Sequence, residues 1–168
     1  PQKINAVSPV YKGIREQLEV LGYDIATTLI STERVPAPTR VREHLNLPAG
    51  AEVIAVIRLR TVDGKPLSVH RSFVPASLAP GLDQLDVVNE QLCVVLEDKF
   101  NLSMKSVSED LEVIVAEGTD AKLLELRKGD PALLLTDVIT NPAGTAFEYS
   151  TIVFRGDTVR LKFDYKRE

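Results

Sequence analysis

The sequence predicts an α+β domain built on a mainly antiparallel sheet. Turn signals at VDG (62–64) and NPAG (141–144) each join two strand-like runs, and hairpin-joined strands pair antiparallel. Other segments repeat apolar residues at helical spacing. Three or more such helices are interspersed among about six strands, and most successive strands are linked as hairpins.

The elements follow in chain order. SPVYKGIREQLEVLGYD sets Val10, Ile14, Leu18 and Leu21 at helical spacing, with Ser8 and Pro9 suited to its start and Gly22 to its end. IATTLISTERV (25–35) has strand composition. PTRVREHLNLPAG reads as a short helix with Val41 and Leu45 on one face, closed by Leu47, Pro48 and Gly50. Residues 52–61 and 66–74 form the first hairpin, and SLAPGLDQLD is irregular. NEQLCVVLEDKF is a helix capped by Asn89, with Leu92, Leu96 and Phe100 inward. SMKSVSEDLEVIVAE is a long strand. TDAKLLELRKGDP is a helix capped by Thr119 and ended by Gly129 before Pro131. ALLLTDVIT and TAFEYSTIVFRG form the second hairpin, and DTVRLKFDY is the last strand. No internal repeat, low-complexity run or long linker interrupts the chain.

The bulk properties narrow the function classes. A length of 168 residues suits one domain, spanning 1–168, with a real core. No apolar run approaches the roughly 18 residues of a membrane helix, and PQKINAVSPV lacks the pattern of a signal peptide. The single cysteine, Cys93, excludes an internal disulfide and fits a reducing cytoplasm. A net charge of −4, with basic residues mixed among acids, does not announce nucleic-acid binding. The first residue is Pro1, which suits a piece of something longer, or a processed chain.

The first hairpin poses the functional question. In its first strand Val53, Ala55, Ile57 and Leu59 alternate with Ile54, Val56, Arg58 and Arg60. Successive side chains point to opposite faces, so the odd set is expected to face the core. The second strand offers Leu67, Val69 and Phe73, with Arg71 the exception, against Ser68, His70 and Ser72. A three-residue loop Val62-Asp63-Gly64 with a left-handed Gly64 keeps both odd faces together. It sets Arg58 opposite Ser68 and Val56 opposite His70, so Arg58, Arg60, Ser68 and His70 share one face. The pattern alone favours a solvent-wetted face, since antiparallel sheets are often wet on one side. Ile54 and Val56 on the same face suit the wall of a polar pocket instead. Glu148 shifts the balance, because a lone carboxylate in the strand-like run TAFEYSTIVFRGD is costly unless paired. It reads either as a salt-bridge partner of one arginine or as a ligand acceptor opposite an anion-binding pair.

Other features carry less. RGD (155–157) sits at a strand-to-strand turn and gives adhesion almost no support. His44, His70 and Cys93 have no metal-ligand spacing, and no cofactor motif, phosphate loop or nucleophile elbow occurs. Cys93 lies near the apolar face of its helix and reads as packed rather than reactive.

RLRTVDGKP, LEDKF, LRKGDPALLL and GTAFEYSTIVFRGD, in that order and spacing, resemble the effector-binding UTRA domain of the HutC branch of GntR transcription regulators. The resemblance runs from the VYKGIREQLEVLGYD helix to the last strand. It implies a chorismate-lyase-like fold in a cytoplasmic, homodimeric, metabolite-gated repressor or activator. Operator DNA would be read by an N-terminal winged helix-turn-helix that this chain lacks. The family's R-x-R pair falls on Arg58 and Arg60, which in sugar-phosphate sensors hold the anion. Its strand glutamate falls on Glu148, and an aromatic six residues later on Phe154, where tyrosine is common. Such sensors often have glutamate where this chain has His70, and a Ser-x-Tyr where it has Gln91 and Cys93. The resemblance thus implies a site of Arg58, Arg60, Ser68, His70, Glu148 and Phe154 for an anionic metabolite, a carboxylate becoming plausible beside a phosphate. It implies no enzyme, cofactor, metal or membrane partner. Two alternatives stand beside it: a chorismate-lyase-like enzyme, and a dimerisation module with a vestigial pocket.

Overall fold

The computed structural model describes residues 4–7, 25–162, 164, 166 and 167. The helix expected over SPVYKGIREQLEVLGYD lies outside them. Twelve elements follow in order: β1 (Ile4–Val7), β2 (Ile25–Pro36), α1 (Thr39–Leu45), β3 (Glu52–Val62), β4 (Lys65–Pro75), a 3₁₀ turn (Leu82–Gln84), α2 (Leu92–Phe100), β5 (Ser106–Val115), α3 (Gly118–Leu123), β6 (Pro131–Thr140), β7 (Ala146–Arg155) and β8 (Val159–Lys162). Six strands make one antiparallel sheet in the order β2-β3-β4-β7-β6-β5, and β1 pairs with β8 in parallel. The expected α+β class is the class observed.

Two helix ends differ from expectation. α2 begins after Gln91, and no side chain caps it. Asn89 instead joins a turn closed by Asp86, whose Oδ2 accepts from the Asn89 amide at 2.8 Å and whose Oδ1 accepts from the main-chain N–H of Val88 at 2.9 Å. Asn and Asp favour such local turns as readily as caps. Likewise α3 starts at Gly118, without a cap from Thr119, and is over by Leu123. The chain then turns back, and Gly129, at φ +93°, donates its N–H to the Ala116 carbonyl.

The sheet is covered on both faces, which corrects the expected odd-set core. On one face α1 contributes Val41 and Leu45 against Val53 and Tyr149. On the same face Leu123 and Leu124 pack with Val69, Ala132 and Val153. The opposite face meets the segment 76–102, where Leu82, Val87, Leu92, Val95 and Leu96 pack on Ile54, Val56, Val74 and Ile139. This even face of β3 is the deeper one. Ile54 and Val56 are at most 1% exposed, while Ile57 and Leu59 are half-buried.

Candidate functional site

The first hairpin reaches the expected parity by another route. Asp63 (φ +50°) and Gly64 (φ +79°) form a two-residue turn, with Val62 opposite Lys65. Two left-handed residues match the twist of paired strands. That turn alone would place Arg60 opposite Leu67. A bulge between Thr61 and Arg60 takes up Leu67 as the extra residue, so Arg60 faces Ser68 and Arg58 faces His70. The pairing therefore differs by two residues from the expected Arg58–Ser68, yet the same side chains share a face.

The register carries that face across four strands. Arg60 lies opposite Ser68, which lies opposite Phe154. Arg58, His70 and Ile152 form the next row, and Val56, Ser72, Ser150 and Asp137 the one after. Glu148 follows on β7, opposite Ile139. Arg58, Arg60, Ser68, His70, Glu148 and Phe154 thus stand together, none more than 7% exposed. The solvent-face alternative does not hold.

Electrostatics gives the face two ends. Burial, then Arg60 and Arg58, hold the His70 imidazole well below its usual pKa, so it is neutral at pH 7. Its Nε2 lies 3.1 Å from the Ser68 hydroxyl. Arg58 points Nη1 at the Val87 carbonyl of the covering segment, at 3.5 Å. Burial pushes Glu148 up, against the attraction of Arg58 and a hydrogen bond from Ser72. Asp137 was missed in the sequence, although a lone carboxylate in ALLLTDVIT is the same signal that singled out Glu148. Burial, then Glu109 and Glu148, push Asp137 up to about 7, while a hydrogen bond from Ser150 opposes the shift. Its Oδ1 is buried without a hydrogen-bond partner.

The remaining sequence features fall elsewhere. Arg71, next to His70 but on the other face, forms an ion pair with Asp120 of α3. Cys93 is exposed rather than packed, its thiol directed at the Gln91 side-chain carbonyl. The RGD charges engage each other: Arg155 donates through Nε and Nη2 to the two Asp157 carboxylate oxygens at 3.0 Å. Among the described residues no group of three or more His, Cys, Asp or Glu side chains could hold a metal ion, and no helix is long and apolar enough to cross a membrane.

Comparison with known proteins sets this geometry in a family. The chain is 25% identical over 139 residues to a probable fructoselysine utilization operon transcriptional repressor of Escherichia coli K12, covering 83% of this chain and 57% of that protein. It is 28% identical over 146 residues to an uncharacterised HTH-type transcriptional regulator of Rhizobium meliloti, covering 84% and 58%. The chain thus spans about half the length of the curated relatives it matches. The effector domain of PhnF from Mycobacterium smegmatis has the same fold, with a TM-score of 0.87 at 19% identity over 96% of this chain and all of that one. So does the C-terminal domain of the histidine utilization repressor of Pseudomonas syringae pv. tomato, at 0.78 and 18%, over 86% of this chain and all of that one. The UTRA domain model matches residues 21–160, and the chain belongs to the UTRA domain family.

Proposed function

We propose that this domain senses a small anionic metabolite for a transcription regulator and acts by binding rather than by catalysis. One observation carries the reading. Two arginines two residues apart on β3 are 5% and 6% exposed, under the covering segment and beside a neutral histidine. The guanidinium fork matches phosphate and carboxylate oxygens. Neutral His70 and Ser68 supply hydrogen bonds without a competing charge, and Phe154 closes the row. The relatives named as transcriptional repressors and regulators support a regulatory output.

In the whole protein a homodimer would carry the operator-reading segment. The metabolite would shift its geometry by contacts made in one arrangement and absent in the other.

The test is a thermal-shift screen against sugar phosphates, small carboxylates and chorismate, repeated with Arg58→Ala and Arg60→Ala. A ligand at a hundred times its Kd adds about 2.7 kcal/mol, a visible rise in Tm. Anionic ligands should raise the Tm of the parent and lose most of that effect in both variants. Equal binding by parent and variants would remove the arginines from the site. Turnover of chorismate would replace sensing with catalysis.

A further inference from the structure

The site face sets two buried carboxyl groups and, at its edge, an exposed third against two guanidinium groups. Arg58 and Arg60 stand at one end, with His70 neutral between them and the carboxylates. At the other end Glu148 and Asp137 are buried, and Glu109 of β5 lies opposite Asp137. Ser150 of β7 and Ser72 of β4 give each buried carboxylate one hydroxyl. Neither hydroxyl carries charge, and Asp137 Oδ1 still has no hydrogen-bond partner at 3% exposure. Burying a carboxylate oxygen without a partner is unfavourable, and such an atom in a native fold calls for an explanation.

An anion alone would aggravate this arrangement. Placed on the arginines, it would offset the attraction that Arg58 exerts on Glu148. It would also add a negative charge to a face that already crowds carboxylates. We infer that the effector is a zwitterion, whose cationic group, an ammonium or similar donor, sits between Asp137 and Glu148 while its anionic group sits on Arg58 and Arg60. An ammonium donates three hydrogen bonds and accepts none, which matches the unpartnered Asp137 oxygen. The β3 and β6 backbones lie three strand spacings apart, roughly 14 Å. Arg58 lies near enough to Glu148 to attract its carboxylate, so one small molecule can carry both charges.

This inference rests on the anion-binding role of the arginines, and the experiment separates the two. Titration calorimetry would compare ω-aminoalkyl phosphates of increasing length, each with the uncharged-tail alkyl phosphate of equal length. At the best length the amino compound should bind the parent at least tenfold tighter. In Asp137→Asn, nearly the same shape without the charge, that advantage should fall below about threefold. Equal affinities in the parent would overturn the zwitterion and leave the anion clamp standing. An undiminished advantage in Asp137→Asn would overturn the assignment of the cation to this carboxylate. Failure of every phosphate, and of the ω-amino carboxylates and alkyl carboxylates of matching length, to bind would overturn the clamp and the inference together. The parent comparison needs no variant, so poor folding of Asp137→Asn would not shelter the idea.

Discussion

Arg71 and His70 are neighbours on β4, and they show two ways of placing charge in one sheet. On the Arg71 face the guanidinium has its own carboxylate, Asp120, and both side chains are about a quarter exposed. On the His70 face two arginines and two carboxylates are almost fully buried, and burial has driven the histidine neutral and the carboxylates toward their protonated forms. The first arrangement is complete in itself, and its contribution is structural. The second keeps its charges under cover, where, on the function proposed above, a bound molecule would meet them. The difference lies in the cover: short helices pack on the Arg71 face, and a long segment containing α2 packs over the other.

The sharpest break of this comparison is substitution of matched arginines. Arg58→Ala should cost about 2–5 kcal/mol of effector binding, a loss of roughly thirtyfold or more by titration calorimetry. Arg71→Ala should leave that affinity within twofold. Comparable losses in both variants would dissolve the distinction between the faces.

Next in size is a pH effect on stability. Burial and its carboxylate neighbours let Asp137 hold its proton to about pH 7 when folded, against an ordinary 3.8 for a solvated aspartate. The folded state therefore loses stability as pH rises through that window, on the order of 4 kcal/mol in all. Asp137→Asn should remove this share of the loss and leave that of Glu148, so its Tm should exceed that of the parent at pH 8 and converge with it near pH 4. His70 works in the opposite direction. Its depressed pKa costs stability as pH falls below about 6.5, and this acid limb should survive in Asp137→Asn. A parent Tm that stayed flat from pH 4 to 8, with the variant parallel to it, would mean that Asp137 ionises as easily folded as unfolded.

Smaller still is the cost of crowding the turn after β7. A Cβ on Gly156 would lie 2.7 Å from the Pro131 carbonyl oxygen. Gly156→Ala should lower stability by about 1–3 kcal/mol in urea unfolding, with effector affinity unchanged. The smallest effect is that of Arg71→Ala on stability itself, at most about 1 kcal/mol for a partly exposed pair, read by the same method.

Strand alternation was enough to group the arginines with Ser68 and His70, because side-chain period is a local property. Depth was not legible. Which face a segment twenty or more residues away will cover is a tertiary fact, and the odd set of β3 looked the more apolar. The exact partner of Arg58 was also out of reach, since the bulge at Leu67 leaves no mark in composition. Asn89 and Thr119 have cap chemistry, but a local turn competes for one and the other lies inside its helix. Asp137 was legible and overlooked, one carboxylate in a run of aliphatic residues. Its meaning emerged once the register set it beside Ser150, in the row next to Glu148.

The bulge has a consequence for packing. Leu67, the residue it takes up, is 2% exposed and packs with Ile25, Val62 and Val159. Val159 opens β8, whose backbone is laddered to β1. A run of contacts therefore leads from Ile4–Val7 through that ladder to Val159, and from there to Leu67. Leu67 immediately precedes Ser68, so this packing joins the first described strand to the wall beside the arginines.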